Sequence, residues 1–485
     1  MAEIKVDKIL PATGSSIALG ESGKTVVIPS GATLDASAAT LTNIGARVSY
    51  CTSLQTSPFT ASASRGYFIN TGSAVTVTLP SSPNVGDQIV VIDATGNASS
   101  NKITLARGGS KIKGLCNCAE LSTNRIGVRI VYSGSSQGWV TATAANETSP
   151  ALTQNLYVTA TGGNTVATCG NYKIHTFTAD GNFVVSCAGN PGGNDKVDYM
   201  VVAAGGGGGA GGGGGGGGAG GFRESRNPDN APAWTASPLA STTSLTLTAA
   251  TFPITVGAGG AGGSASAPAN PGRRGSSGSD SVFSTITSAG GGGAGFAGDA
   301  QPNCNADGAD GGSGGGGGQN SSPQPANSGG SGNTPPVSPP QGNNGGQGQT
   351  TANTPGSGGG GGATAVGSNS PGIRAGGNGG AGATTSISGS PVARGGGGGG
   401  GANGQHPSGG PPTNIQPSTP GDGGTGGGGN GGGSPVSPRP ETGGSGTANT
   451  GGGGGGNGTP GYVAGGNGGL GGSGVVVIRY KFQGS

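Results

Sequence analysis

The chain has 485 residues, of which 8 % are charged and 4 % aromatic, with a formal net charge of +3. A usual globular chain carries about 25 % charge, so a conventional apolar core is confined to the part before residue 200. The near-neutral balance also leaves nucleic-acid binding without an electrostatic footprint. Glycine is concentrated instead: of the 119 in the chain, 22 precede residue 200 and 97 follow it.

Residues 1–47 alternate short apolar pieces (Ile4, Val6, Ile9, then Ile17 and Leu19, then Val26–Ile28) with glycine turns. Such strands are too short to bury a face alone, which predicts a thin β stalk intertwined with other copies of the chain. Met1-Ala-Glu-Ile-Lys-Val-Asp7 is charged and alternating, unlike a secretory signal. No run approaches the ~20 apolar residues that span a bilayer. Exit from the cell by lysis is the expectation.

Residues 48–147 read as a compact β-sandwich-like domain. Tyr67–Asn70, Val75–Leu79, Gln88–Asp93, Ile103–Leu105, Arg125–Tyr132 and Gly138–Ala142 are apolar or alternating runs separated by turn chemistry. A core explains every hydrophobic residue here, and no catalytic constellation stands out. Residues 150–204 form a second β unit that leads into the glycine. Within it, Lys173–Phe177 and Phe183–Ser186 flank Asp180-Gly181 and read as a hairpin. His175 falls between two apolar positions and reads as a strand-face histidine. Of the six cysteines, Cys116-Asn-Cys118 is one residue short of CxxC, and two histidines are too few for a zinc site. Plain buried thiols are expected, with a Cys169–Cys187 bridge as the alternative.

Residues 205–474 hold glycine runs between two apolar strands, Val197–Ala203 before them and Val475–Phe482 after them, the latter within a closing segment 475–485. Collagen would need glycine at every third position, and a flexible linker has no use for bounding strands. A glycine-rich RNA-binding tail would need charge. The favoured reading, with a disordered linker left as the alternative, is a bundle of polyglycine type II helices, left-handed with three residues per turn. In such a bundle backbone N–H meets backbone C=O across helices because no Cβ intervenes. About ten runs are expected, starting near residues 205, 257, 290, 308, 356, 376, 395, 421, 443 and 465. With both bounding strands at one end, loops 222–256, 299–307, 363–375, 405–420 and 459–464 would be distal and loop 264–289 proximal. Trp234, among prolines, reads either as an exposed contact or as a cap on the bundle.

The opening Met1–Gly14, with Gly20-Glu-Ser-Gly23 and Ile28-Pro-Ser-Gly31, resembles the N-termini of tail fibre proteins from marine phages, cyanophages in particular. Phe177-Thr-Ala-Asp-Gly-Asn-Phe183, Val197–Gly205, Ile254-Thr-Val-Gly-Ala-Gly259, Ser281–Thr287 and Gly474–Tyr480 resemble the signposts of their glycine-rich distal domain. The pro-rich insertions around 227–237 and 319–344 depart from that pattern. The resemblance implies a virion tail fibre, active after host lysis, that binds a host surface polysaccharide or outer-membrane protein without catalysis or cofactor. It implies a homotrimer joined through its N-terminus to other virion tail proteins, with no nucleic-acid partner. The expected receptor-binding residues are Trp234, Asn227, Asn230, Asn369, Arg374, His406, Asn414 and Tyr462. The alternative is a structural or filament-forming surface protein that self-associates through the glycine block. A depolymerase would want two carboxylates about 5–10 Å apart, and the acidic residues nominate no such pair.

Overall fold

A computed structural model of the chain describes residues 48–142, 155–227, 234–267, 272–296, 306–320, 325–350, 356–404, 416–434, 441–459 and 466–484. The expected stalk, residues 1–47, lies outside them. The described residues form β-strands and extended segments and contain no α-helix. The chain divides into two compact units, Met1–Cys116 with Leu121–Ala151, and Asn117–Glu120 with Leu152–Ser485.

In the first unit, consecutive strands alternate between two sheets, so each pairs in parallel with the strand two before it. Ser49–Tyr50, Arg65–Ile69 and Gln88–Asp93 pair this way in one sheet, and Phe59–Thr60, Val75–Thr78 and Ile103–Ala106 in the other. Gly127–Tyr132 and Trp139–Thr141 then extend the first sheet antiparallel. The alternating residues Val75, Val77, Ile103 and Leu105, and Ile89, Val91, Val128 and Ile130, are buried. Asp93 is buried as well, and its carboxylate accepts from Thr71 Oγ1 and from the N–H groups of Gly96, Ala98 and Arg125.

The second unit carries a sheet of five strands and a sheet of seven. Val475–Lys481 lies in the middle of the larger one, antiparallel to both Tyr172–Phe177 and Lys196–Val202. Its sequence Val-Val-Val-Ile-Arg-Tyr is apolar on both sides because both faces are covered. Val476, Ile478 and Tyr480 pack with Phe177, Phe183, Tyr199 and Phe283 in one cluster. Val475 and Val477 join Ile174, Met200, Phe222, Trp234 and Ile387 in another.

The expected hairpin does not form. Tyr172–Phe177 pairs with Thr165–Cys169 and Val475–Lys481, whereas Gly181–Ala188 pairs with Val158–Thr161 and Thr251–Thr255 in the other sheet. The Asp180-Gly181 turn carries the chain from one sheet to the other, so that Phe177 and Phe183 enter the same core. Burying two phenylalanines outweighs a local ladder. Cys169 and Cys187 therefore sit on different sheets, and both are free thiols.

Beyond these sheets, eighteen extended segments lie side by side among the described residues: 204–210, 214–221, 257–263, 273–279, 290–295, 308–312, 313–319, 328–333, 343–349, 356–362, 365–370, 376–382, 395–402, 419–425, 428–432, 443–447, 451–458 and 467–474. Their hydrogen bonding has a period of three. Gly205 and Gly208 donate to Gly472 and Gly469, Gly206 and Gly209 to Gly218 and Gly215, and Gly207 and Ala210 to Ser276 and Arg273. The carbonyls of Gly205 and Gly208 accept from Gly260 and Gly263, that of Gly206 from Gly454, and that of Gly207 from Ala294. One segment thus meets six neighbours through its backbone. A Cβ on Gly205, Gly206 or Gly207 would lie 2.1, 2.2 or 2.0 Å from a carbonyl oxygen of a neighbouring segment.

The segments alternate in direction, and the entry strand meets the exit strand directly, Val202 opposite Val475. Both bounding strands lie at one end, here the near end. The expected count of ten falls short because glycine reverses the chain without changing composition. Gly211, Gly212 and Gly213 have φ of +90°, +98° and +102° and turn the chain inside what reads as a single run. Segments such as 328–333 and 365–370, rich in Ser and Asn, are also part of the stack. The hidden turn moves residues 222–227 and 234–256 to the near end, where Phe222–Ser225 and Thr251–Thr255 enter the sheets. Loop 264–289 divides between the two ends: Ser264 and Gly272 close a far-end turn, and Ser281–Phe283 and Ile286–Ser288 are sheet strands.

Two glycines test the packing. An added Cβ on Gly216 would lie 2.0 Å from the carbonyl oxygen of Gly398, whereas one on Gly372 meets nothing within 4 Å. Gly216→Ala is expected to cost at least ~1–3 kcal/mol and to lower the melting temperature of the glycine block measured by calorimetry. Gly372→Ala should leave that temperature unchanged.

Candidate binding surface

The near end is built for structure. Trp234 is 8 % exposed and packs in the cluster of Met200, Phe222 and Ile387. Its indole N–H donates to the Asp198 carboxylate, and the Arg479 guanidinium lies 6.0 Å from its ring centre. The exposed-contact reading of Trp234 therefore gives way to that of a cap between sheet and bundle. Asn227 is buried too, and its N–H donates to Asp198 Oδ1 at 2.8 Å. Prolines around these residues had suggested a displayed loop; the returning segment 214–221 instead delivers them to the sheets.

Asp198 and Glu224 are both 2 % exposed. Burial pushes both carboxyls above the ordinary carboxylate range, against the pull of their hydrogen-bond donors. Those donors are Ser244, Asn227 and Trp234 for Asp198, and Ser237 and Thr385 for Glu224. Arg394 lies close enough to Glu224 to feel its charge, while burial pulls the guanidinium down. Across the strand, His175 is 1 % exposed, with Nδ1 2.7 Å from the Gly162 carbonyl and Nε2 3.0 Å from the Tyr480 hydroxyl. Nδ1–H donates to the carbonyl and Nε2 accepts from the tyrosine. Burial holds His175 below its usual value and pushes Tyr480 up to about 12. His175 is a core histidine on a strand, as its flanking apolar residues imply.

The far end has different chemistry. Asn403, 4 % exposed, ties three segment ends together. Its Nδ2 donates to the Gly212 carbonyl at 2.5 Å and to Gln319 Oε1 at 2.9 Å, and its Oδ1 accepts from Thr459 N–H and Oγ1. A second cluster surrounds the turn Pro371-Gly-Ile-Arg-Ala375. Ser370 Oγ donates to the carbonyls of Gly372 and Ala375, and the Arg374 carbonyl accepts from Thr419 N–H at 2.9 Å. Arg374 has a φ of +59°, uncommon for a side-chain-bearing residue, and Ile373 beside it is 52 % exposed. Buried carboxamides and hydroxyls hold this end, and Ile373 is exposed on its fixed backbone.

Of the four expected contact residues that are described, Arg374 lies in the far-end turn and Asn369 just before it, next to Ser370. Asn369 is exposed on segment 365–370, with Oδ1 accepting from Gln347 N–H at 2.8 Å. Trp234 and Asn227 are at the near end. Asn230, His406, Asn414 and Tyr462 lie outside the described residues.

Sequence reasoning missed the side chains along the flanks. Asp307 and Asp310 accept from the N–H groups of Ser328 and Ser331, each at 2.6 Å. Asn344 accepts from Gly332 N–H, Asn378 from Asp422 N–H, Asn430 from Gly423 N–H and Asn467 from Ala265 N–H, at 2.8 to 2.9 Å. All of these side chains are exposed. The signal was in the sequence: Asn378, Asn430 and Asn467 each stand alone in Gly-Gly-Asn-Gly-Gly. No group of three or more His, Cys, Asp or Glu residues able to hold a metal ion occurs among the described residues.

The chain belongs to the family described as a glycine-rich domain, which matches residues 178–481. The match begins at the turn between the two sheets and ends with the Val475–Lys481 strand, so it takes in the bounding strands as well as the glycine. Comparison with curated proteins finds no match.

Trp234→Ala is expected to lower stability by about 3–5 kcal/mol, as loss of a buried aromatic does, measured by chemical denaturation. A variant that keeps its stability would return Trp234 to the surface. The carboxyls and the histidine set opposite pH slopes. Asp198 and Glu224 have raised values, so the stability they lend is whole below about pH 4 and falls as pH rises through those values. His175 has a lowered value, so its share is whole above about pH 6.5 and falls as pH drops below it. Glu224→Gln should therefore flatten the loss of unfolding free energy as pH rises from 4, leaving the slope from His175 in place.

Proposed function

We propose that the stacked segments are polyglycine type II helices, and that the block they form is the receptor-presenting scaffold of a virion tail fibre. The three-residue recurrence of the hydrogen bonds supports the first part, since a threefold helix returns each residue to the same neighbour every third position. The observation that carries the second is the pairing of Val202 with Val475. It fixes both chain connections at one end and leaves the other end to turns alone.

Recognition needs no catalytic residue. It needs a surface that can change in sequence while its support does not, and turns on a rigid frame meet that need. The far-end turns are held by carboxamide and hydroxyl contacts rather than by a core, so their outward residues are free to vary. The partner is a host surface polysaccharide or outer-membrane protein. Residues 1–47 join the chain to other virion tail proteins as a homotrimer, and several copies per particle turn weak contacts into avidity.

The test exchanges residues 405–415 for a Gly-Ser stretch of equal length and compares this with exchange of 383–394. The first segment is bounded by the far-end residues Asn403 and Gln416. The second contains Ala383 and Ile387, which are buried beneath the seven-stranded sheet. The 405–415 exchange should abolish adsorption to host cells with the melting temperature unchanged. The 383–394 exchange should lower the melting temperature. Unchanged adsorption of the first variant, alongside loss for a variant altered only on the near end, overturns the reading.

A further inference from the structure

A stack of hydrogen-bonded segments has an inherent hazard at its flanks. An outermost segment points N–H and C=O groups outward at every third residue, and an outward row of this kind is a template for another copy, as the open edge of a β-sheet is. Here several of those outward N–H groups are occupied by a side chain from the adjacent segment. Asp307 and Asp310, three residues apart, cover Ser328 and Ser331, also three apart, so the guards follow the period of the groups they cover. Asn378 and Asn430 cover the consecutive N–H groups of Asp422 and Gly423 on segment 419–425, and Asn467 covers Ala265 in the far-end turn that follows segment 257–263.

These residues are exposed and belong to no apolar cluster, so core packing does not account for them. Glycine would serve equally well at an outward position if nothing were required there. Buried carboxamides in the block act differently: Asn457, with no exposure, accepts from Gly214 N–H inside the stack, where an unpaired donor would be costly. An exposed N–H needs no such partner, because water satisfies it. What a side chain adds at an exposed N–H is obstruction of any other backbone.

We propose that Asp307, Asp310, Asn378 and Asn430 close the flanks of the glycine block, and Asn467 its far-end rim, against lateral pairing with a second copy of this chain. The block is thereby kept discrete, and its ends remain the surfaces through which it makes contacts. The proposal does not depend on the receptor reading, and it opposes filament formation through the block.

The experiment compares the full-length chain with two variants, Asn378→Ala/Asn430→Ala/Asn467→Ala and Asp307→Ala/Asp310→Ala, by sedimentation velocity over a hundredfold range of concentration. Hydrogen exchange is followed at the amides of Ala265, Ser328, Ser331, Asp422 and Gly423. The wild-type chain should show slowed exchange at these exposed amides and no lateral growth. Each alanine variant should exchange faster there, and its weight-average mass should at least double relative to wild type at the highest concentration. Asn378→Asp/Asn430→Asp/Asn467→Asp keeps an acceptor oxygen at each place and should behave as wild type. The two alanine variants alter different segments, so failure of one to fold leaves the other as the test. An alanine variant that folds, loses its slowed exchange and keeps the wild-type mass at every concentration overturns the proposal, as would fibrils of the wild-type chain.

Discussion

Everything beyond the sheets depends on one contact, a backbone N–H of one glycine segment meeting a backbone carbonyl of the next with no side chain between them. A Cβ placed on most of these glycines would fall about 2 Å from a neighbouring carbonyl oxygen. The absence of a side chain is what lets the segments approach. The same approach pairs polar groups that would otherwise be buried and unsatisfied. Ordering glycine is costly because it is the most mobile residue in the unfolded chain. The compensation is collective, since a central segment such as 204–210 bonds to six others and cannot be ordered alone.

This explains the sheets. A stack of side-chain-free segments has no hydrophobic signal to set its register, and glycine segments are interchangeable. The near end supplies what is missing. Val475–Lys481 sits between Tyr172–Phe177 and Lys196–Val202 with apolar residues on both faces, and it fixes where the first segment starts and the last one ends. Met200, Phe222, Trp234 and Ile387 then join the sheet to the returning segments. Buried Asp198 and Glu224 order the same region through directed hydrogen bonds. The two ends therefore differ in kind: an apolar, pH-sensitive clasp at one, and polar turns without an apolar cluster at the other.

The flanks follow the same logic from outside. A contact that works between any two glycine segments also works between two molecules. Single asparagines and aspartates at outward positions restrict it to within one chain. Their spacing of three in Asp307 and Asp310 is the period of the stack itself, so the flank and the interior obey one geometry.

The sequence alone determined what kind of object this is. Runs of glycine bounded by Val197–Ala203 and Val475–Phe482 implied an ordered block clasped by strands, because a linker has no need of clasps, and those strands do pair. Val75–Leu79 was legible as a strand because a covered face leaves a period of two, and Gln88–Asp93 because four apolar residues run together between polar ends. What only the tertiary structure decided was the path. Glycine turns as easily as it extends, so the reversal at Gly211–Gly213 left no mark in composition, and the end to which residues 222–256 belong could not be read. Trp234 and Asn227 looked displayed because prolines surround them, yet the returning segment carries them into the core. Asp180-Gly181 had the chemistry of a hairpin, and the burial of Phe177 and Phe183 between two sheets overrode it. Local residue chemistry fixes which conformations are open to the chain; where the alternatives are equal in local energy, as they are throughout glycine, contacts distant in sequence choose among them.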